Sequence, residues 1–428
     1  MPSPISDAGG SSSEAPAING SGPVLEYAVK MRQFPQNALL SDMLAREALT
    51  EAHIDALVVA VASFHGAAPP ASASVPYGHP DEVLEPALQN LDQILALPDD
   101  ARDRPDLESV RAWTQSEHLA CTPAFLQRRR GGFVRECHGD LHLGNIALVN
   151  GQVTLFDRIE FNESTRWIDV MNDVAFVVND LRERERTDLA ARFLAAYLET
   201  TGDYQGLDVL RFYLVYRAMV RAKMARLRLR QVPLPDERER LAAEYHGYID
   251  LARRGSQRPP GAIVITHGVA GSGKTTCSQW LLERVDAVRI RTDVERKRLH
   301  DVGIGHISDS PVETGLYTTA ATRRTYMRVC ELACRTAADS YRVVVDGAFL
   351  LRWQRDLFRE AAAGLGVAFV ILDVSAPEAA LRERIVERRR RGNDPSDATI
   401  DVLEHQLATQ ERLGADEQPF VVSWNDCI

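Results

Sequence analysis

The front half of the chain repeats its apolar positions with the period of a helix. In residues 41–65 apolar side chains recur every three to four positions, which predicts an amphipathic helix. The same spacing predicts further helices in residues 81–127, 168–200 and 207–231. One interruption, IALVNGQVTLF at 146–156, sets Asn150 and Gly151 between two strand-like runs and predicts a tight hairpin. This half is therefore predicted to be α+β and mostly helical.

The pattern changes at LARRGSQRPPG, residues 251–261, where Arg, Gly and a Pro pair end the helical spacing and predict a linker. Beyond it, short apolar runs alternate with segments long enough for helices, and the runs occupy residues 262–266, 287–291, 342–346, 367–374 and 419–423. Such alternation is typical of a parallel sheet with helices on both faces. We therefore expect a front domain at 24–250 and an α/β domain at 262–428.

The composition is that of a globular protein with more than one core, since 45% of the 428 residues are apolar. No run of about 18 apolar residues occurs, so no membrane partner is expected. Residues 1–23 lack the basic start and apolar core of a signal peptide, and they are predicted to be a disordered tail. Six Cys residues without a CxxC pair argue against a disulfide framework and favour a cytoplasmic location.

Charge is distributed unevenly between the two halves. Residues 1–250 carry 11 more acidic than basic side chains, whereas residues 251–428 carry one more basic than acidic. Because nucleic-acid surfaces show clustered positive charge, the front domain is not expected to bind nucleic acid. A nucleic-acid partner is not excluded for the C-terminal domain, and the sequence predicts no particular oligomeric state.

A phosphate-binding motif opens the C-terminal domain. The sequence GVAGSGKT matches GxxxxGK[ST] between an apolar strand and a helical stretch, which is the context that the motif requires. Lys274 is expected to reach the β- and γ-phosphates of ATP, and the Thr275 hydroxyl is expected to hold Mg²⁺. The predicted nucleotide-binding residues are Gly268, Val269, Ala270, Gly271, Ser272, Gly273, Lys274, Thr275 and Thr276.

Two acidic residues follow later strands of the same domain. RIRTD at 289–293 ends in Asp293, which is placed to orient or deprotonate an acceptor hydroxyl; its alternative role is a helix N-cap. RVVVD at 342–346 ends in Asp346, which is placed to meet Mg²⁺ or its water shell; its alternative role is a strand-end turn. Both predictions depend on side chains at the carboxyl ends of parallel strands lining the ligand crevice.

A basic helix end could close over the phosphates as a lid. Arg384 and Arg388 in LRERIVERRRR are one turn apart and share a helix face. They would stabilise the transferring phosphoryl group, although a solvated charged face is the alternative.

With these motifs, residues 262–428 resemble the P-loop kinases of the polynucleotide kinase, gluconate kinase and zeta-toxin group. The resemblance implies a P-loop NTPase fold with a five-stranded parallel sheet and phosphoryl transfer to a hydroxyl. It also implies that Asp293 activates the acceptor and that Arg384 or Arg388 belongs to the lid.

The front half contains a second pattern of catalytic residues. CHGDLHLGN places His138, Asp140 and Asn145 in the spacing HxDxxxxN, and the predicted hairpin leads from Asn145 to Asp157. Asp140 would orient an acceptor hydroxyl, while Asn145 and Asp157 would hold Mg²⁺ under the triphosphate. Residues 24–250 thereby resemble the aminoglycoside phosphotransferase and choline kinase group, whose fold is kinase-like.

Together the two halves resemble a bacterial fusion known as bifunctional aminoglycoside phosphotransferase and ATP-binding protein. The front half departs from that group because its region before His138 looks mostly helical, so the N-terminal lobe is expected to be reduced and the protein kinase-like C-lobe to dominate. Lys30 in EYAVKM is the sole Lys before residue 223 and is the candidate for the phosphate-anchoring lysine, with Glu47 or Glu51 as a possible partner.

Three functions are compatible with these features, and the first is the main prediction, with the front kinase-like domain expected to be impaired. The first is an ATP- and Mg²⁺-dependent kinase that works through the C-terminal domain on a small hydroxylated or nucleotide-like acceptor. The second is an O-phosphotransferase for aminoglycosides or other small molecules in the front domain. The third is a regulatory protein that binds ATP without turnover.

Overall fold

The fold is described from a computed structural model, which covers residues 3–6, 17–18, 24–28, 35–97, 103–303, 317–391 and 399–424. A small antiparallel sheet opens the chain, in the order β2-β1-β3. Its strands are β1 (Ser3–Ser6), β2 (Ala17–Ile18) and β3 (Val24–Ala28). Residues 1–23, expected to be a disordered tail, thus include two short strands. Strand pairing joins backbone groups, so Ser-rich composition does not prevent it.

The front domain begins with four helices. The segment 41–65, predicted as one helix, forms two, because Glu47 adopts a left-handed φ of 57° and Thr50 caps a new helix start. The helices are α1 (Leu40–Ala45), α2 (Glu51–Ala67), α3 (Pro80–Leu95) and α4 (Arg104–Arg130).

The predicted hairpin is present in the middle of the front domain. Its two strands pair antiparallel from Ile146 opposite Leu155 to Val149 opposite Gln152, and the turn between them has positive φ at both central residues. Asn and Gly tolerate that conformation, which is why the Asn-Gly pair identified the turn. The elements of this region are β4 (Val134–Glu136), β5 (Ile146–Val149), β6 (Gln152–Leu155), α5 (Glu163–Arg166) and β7 (Trp167–Asp169).

Four further helices complete the front domain. They are α6 (Val170–Glu183), α7 (Thr187–Thr201), α8 (Leu207–Leu229) and α9 (Pro235–Gly255). Helix α6 is buried on every side except at its end, so it forms the centre of the domain. Helix α9 continues through Gly255, so the first part of the segment predicted as a linker is helical.

The C-terminal domain has the predicted five-stranded parallel sheet, in the order β12-β11-β8-β10-β9. Its strands are β8 (Ala262–His267), β9 (Val288–Arg291), β10 (Arg342–Asp346), β11 (Ala368–Asp373) and β12 (Val421–Ser423). Its helices are α10 (Lys274–Val285), α11 (Thr292–Leu299), α12 (Thr319–Ala338), α13 (Arg352–Leu365), α14 (Glu378–Arg391) and α15 (Ile400–Thr409). No helix in the described ranges is both long and apolar enough to cross a bilayer.

The front domain packs against the edge of this sheet. Helix α7 lies against β9 and α10, where Ala191 and Ala195 meet Leu282 and Ala287 in one buried cluster. All four residues of β9 are buried, although β9 is the last strand of the sheet. An exposed edge strand can pair with a strand of another chain and cause aggregation, and here the front domain covers β9.

Candidate active sites

The phosphate loop joins β8 to α10, and its backbone has positive φ at three glycines, two of which leave no room for a Cβ. Gly268 has φ 146°, and a Cβ there would lie 2.2 Å from the Val374 carbonyl oxygen. Gly271 has φ 80°, and a Cβ there would lie 2.7 Å from the Leu381 carbonyl oxygen. Larger residues would therefore displace the loop from its neighbours. The loop leads directly into the N-terminus of α10, where backbone N–H groups and the helix dipole favour anions.

The polar side chains of the loop fit a phosphate ligand. Lys274 is the first residue of α10, and its Nζ donates to the Val269 carbonyl oxygen at 2.8 Å, so the ammonium group lies over the loop. The Ser272 hydroxyl is buried and has no hydrogen-bond partner within the described part of the chain. A buried hydroxyl without a partner is costly, and a phosphate oxygen would satisfy it.

Asp346 lies at the carboxyl end of β10, close to the start of α10. The Ser278 hydroxyl is 3.0 Å from the Thr275 carbonyl oxygen and 3.3 Å from Asp346 Oδ2, so one side chain connects the loop helix to this carboxylate. Arg291 Nε approaches the same Oδ2 to 3.7 Å. A carboxylate beside the first turn of the loop helix, where Thr275 lies, is a suitable oxygen donor for Mg²⁺.

Asp293 stands at the neighbouring strand end. Helix α11 begins at Thr292, so Asp293 lies inside its first turn and the N-cap position belongs to Arg291. The Thr292 hydroxyl donates to the Asp346 carbonyl oxygen at 3.2 Å, which places the ends of β9 and β10 side by side. Burial raises the pKa of Tyr326 to about 12, and the nearby Asp293 charge contributes in the same direction. Asp293 is half-buried at this edge of the sheet.

The proposed lid contacts the phosphate loop. Arg384 Nη1 donates to the carbonyl oxygens of Gly271 at 3.3 Å and Ser272 at 3.2 Å. Arg388 belongs to α14, but its side chain lies outside what the structure describes. The loop is also held from α15, where Gln406 Oε1 accepts the Ala270 backbone N–H at 2.7 Å. This last residue carried no signal in the sequence, because a glutamine on an amphipathic helix resembles any surface residue.

In the front domain, the loop after β4 gathers the predicted residues. Asn145 Nδ2 donates to the Asp140 carbonyl oxygen at 3.0 Å and to Asp140 Oδ2 at 3.3 Å. Burial acts to raise the pKa of the Asp140 carboxyl, but the His142 hydrogen bond and the positive charges of His142, Arg217 and Arg221 outweigh burial and lower it. Asp140 is therefore ionised at neutral pH.

The hairpin returns to the same place. The Phe156 backbone N–H donates to the Asn145 carbonyl oxygen at 3.1 Å, and His138 Nε2 donates to the Phe156 carbonyl oxygen at 2.8 Å. Asp157 follows directly, exposed and with a left-handed φ of 60°. Asp140, Asn145 and Asp157 thus lie at one end of the hairpin, and their oxygens are of the kind that Mg²⁺ prefers.

Two buried acids that the sequence analysis missed support this loop. Asp173 on α6 accepts the backbone N–H groups of His138 at 2.8 Å and Gly139 at 2.9 Å, and His65 Nε2 lies 3.3 Å away. Asp180, two turns further along α6, accepts the Leu143 N–H at 2.9 Å. The sequence feature that could have identified Asp173 and Asp180 is that each is an acidic residue within an otherwise apolar helical segment.

Lys30 is the candidate lysine of the front domain. Lys30 lies outside the described residues, two positions after the end of β3. Its possible partners Glu47 and Glu51 lie just before and at the start of α2, and Glu51 contacts Arg192 Nη1 at 2.9 Å.

Two family models match the chain, one in each half. Residues 31–213 match the model described as "Phosphotransferase enzyme family". Residues 263–413 match the model described as "AAA domain". The first match contains the loop from His138 to Asp157, and the second contains the phosphate loop together with Asp293 and Asp346.

Some proteins are similar to this chain in sequence along both of its halves. Uncharacterized proteins of Mycobacterium tuberculosis and Mycobacterium bovis are each 28% identical over 390 residues, which cover 91% of this chain and 77% of the relative.

Solved structures are similar to parts of the chain. A gluconokinase from Sinorhizobium meliloti is 24% identical over 39% of this chain and 83% of its own, with a TM-score of 0.28. An APS kinase from Mycobacterium tuberculosis is 17% identical over 39% of this chain and 90% of its own, with a TM-score of 0.29. A Plasmodium vivax ethanolamine kinase is 11% identical over 54% of this chain and 66% of its own, with a TM-score of 0.34.

Proposed function

We propose that the chain is a two-domain kinase, in which a domain that matches the phosphotransferase enzyme family precedes a P-loop kinase domain, and that the C-terminal domain performs the reaction. It transfers the γ-phosphate of ATP to a hydroxyl group of a small molecule or of a nucleotide-like acceptor. One observation carries the proposal. The phosphate loop, with Lys274 over it, lies at the carboxyl end of the parallel strands, and the carboxylates of Asp346 and Asp293 lie at the same end of the sheet.

Each side chain has a role that follows from its chemistry. Lys274 neutralises the β- and γ-phosphates, and the Ser272 hydroxyl donates to a phosphate oxygen. Thr275 and Asp346 would hold Mg²⁺, which would draw charge from the phosphate oxygens. Arg384 leaves the loop carbonyls on closure and stabilises the transferring group, with Arg388 one turn further along the same helix.

Asp293 acts on the acceptor. Its carboxylate orients the acceptor hydroxyl and takes the proton as the oxygen attacks the γ-phosphorus. The bond from that phosphorus to the β–γ bridging oxygen breaks, and ADP leaves with the electron pair.

A second candidate function is O-phosphotransfer in the front domain to an aminoglycoside or another small hydroxylated molecule. The observation in its favour is the ionised Asp140 beside Asn145 at the end of the hairpin. The acidic balance of this domain would suit a cationic substrate.

The test is ATP consumption by the full-length protein with Mg²⁺ and a panel of acceptors. The panel holds sugar acids, nucleotide sugars, nucleic-acid 5′ ends, small alcohols and aminoglycosides. The full chain is necessary because α7 covers β9, so a fragment that begins after α9 would expose that strand. We expect at least one acceptor of the first four classes to stimulate ATP consumption. Stimulation by aminoglycosides alone would favour the front domain instead.

A further inference from the structure

A buried ion network crosses from the front domain to the C-terminal site. Glu199, near the end of α7, is only 9% exposed and faces β9. Its Oε2 accepts from Arg289 Nη2 at 2.9 Å, and its Oε1 accepts from Arg291 Nη1 at 3.4 Å. Both arginines are also buried, so their charges interact in a medium that screens them weakly.

Arg291 lies between carboxylates that belong to different domains. The strand register pairs Arg291 with Asp346, and the Arg291 Nε is 3.7 Å from Asp346 Oδ2. On its other side the same guanidinium contacts Glu199. One positive charge is therefore shared between a front-domain carboxylate and the carboxylate placed to hold Mg²⁺.

The end of α7 is fixed against this strand by further bonds. Arg298 Nη2 on α11 donates to the Glu199 carbonyl oxygen at 2.6 Å. The Tyr204 hydroxyl donates to the Arg289 carbonyl oxygen at 3.2 Å. The separation of Glu199 from Arg291 is thus set by backbone contacts as well as by the ion pairs.

This arrangement has a consequence for the metal. A guanidinium and Mg²⁺ compete for the same carboxylate, because each neutralises its charge. The Glu199 carboxylate, on the far side of the Arg291 guanidinium, weakens the attraction between that guanidinium and Asp346. Without the Glu199 charge, nothing on the front-domain side would draw Arg291 away from Asp346 through this ion pair, so the pairing of Arg291 with Asp346 would strengthen.

We propose that Glu199 of the front domain is a positioning residue for the metal site of the C-terminal domain. It holds Arg291 away from full pairing with Asp346 and keeps that carboxylate available to Mg²⁺. The inference rests on the proposed function of the C-terminal domain. It means that the phosphate site includes a charge that its own domain does not supply.

The test uses Glu199→Gln in the full-length protein, which keeps the shape of the side chain and removes its charge. ATP binding is measured by calorimetry across a Mg²⁺ titration and again in EDTA. We expect the Mg²⁺ concentration at half-maximal effect to rise about 3- to 10-fold, while ATP binding in EDTA stays at the parent value. An unchanged Mg²⁺ dependence would overturn the proposal.

The matched control is Asp286→Asn. Asp286 pairs with Arg182 at 2.7 Å across the same domain interface, but no described contact links it to Arg291 or Asp346. We expect the Mg²⁺ dependence of this variant to equal that of the parent. An equal shift in both variants would mean that loosening of the interface, and not the Glu199 charge, causes the effect.

A double variant separates charge from folding. In an Arg291→Gln background there is no guanidinium to compete at this position, so adding Glu199→Gln should leave the Mg²⁺ dependence unchanged. A shift of the same size in that background would contradict the proposal. If the parent protein binds no ATP in either condition, the proposed function itself fails, and that result differs from every outcome above.

Discussion

The two candidate sites of this chain differ in how their charged groups are assembled. In the C-terminal domain one strand, loop and helix carry the candidate phosphate-binding groups, and Asp346 and Asp293 lie at the carboxyl ends of β10 and β9, on one side of that strand. In the front domain Asp140, Asn145 and Asp157 are held together by a hairpin and by buried acids of α6. The described part of the front site holds no lysine at all.

The comparison shows that the described residues of the two sites suit different parts of a phosphoryl transfer. A carboxylate and an amide can orient an acceptor and a metal, but the triphosphate also needs a cation and donors that hold it. The C-terminal domain supplies both from residues that are adjacent in sequence. We therefore expect variants of the two sites to differ in which property they damage.

The largest effect is expected from Lys274→Ala. Because Lys274 is proposed to neutralise phosphate charge, the variant should lose tight Mg-ATP binding and all measurable turnover. Calorimetry and an ATP consumption assay check this. Lys223→Ala is the control, since Lys223 lies on α8 outside both sites. Parent-like ATP affinity in the Lys274 variant would show that the phosphate loop is not the nucleotide site.

A smaller effect, on stability, is expected in the front domain from Asp173→Asn. One carboxylate oxygen becomes an NH₂ group, which cannot accept the N–H of His138 or Gly139. A buried donor left without a partner costs about 1–3 kcal/mol of the free energy of unfolding. Denaturant unfolding measures it, with the half-exposed Asp188→Asn as the control. Equal losses in the two variants would refute the supporting role of Asp173.

The smallest effect concerns pH. Burial raises the pKa of Glu183 on α6 to about 7, above the usual 4.5. The folded state then holds this proton more tightly than the unfolded state, so the contribution of Glu183 to stability falls as pH rises from about 4.5 to about 7. Glu183→Gln should flatten the stability profile in that window, as measured by unfolding at a series of pH values. A profile identical to that of the parent would contradict this.

Much of the fold could be predicted because its determinants are local. The five strands of the sheet coincide with five apolar runs, and the hairpin follows from the Asn150–Gly151 pair. The phosphate loop is equally local, since its glycines and Lys274 all lie within residues 268–274. The boundaries of the elements were predicted less accurately. The strand predicted at 289–293, for example, ends at Arg291, and a helix begins at Thr292.

The parts that could not be predicted depend on contacts between distant residues. Glu199 and Arg289 are separated by 90 positions, and nothing near either residue in sequence indicates the other. Asp173 looks like an ordinary polar position of a helix until packing shows that α6 is buried around it. Residues whose role is to support others carry no motif of their own, because their partners are specified by tertiary structure.

The central proposal is that phosphoryl transfer occurs in the C-terminal domain and not at Asp140 of the front domain. The most direct test compares Asp293→Asn with Asp140→Asn in the full-length protein, because both changes keep shape and remove a proton acceptor. ATP binding and the rate of transfer to the acceptor found in the panel are measured for each. We predict that Asp293→Asn binds ATP normally but transfers about 10²-fold more slowly or worse, while Asp140→Asn stays within about 2-fold of the parent. The opposite pattern, with transfer lost in Asp140→Asn and kept in Asp293→Asn, would contradict the account.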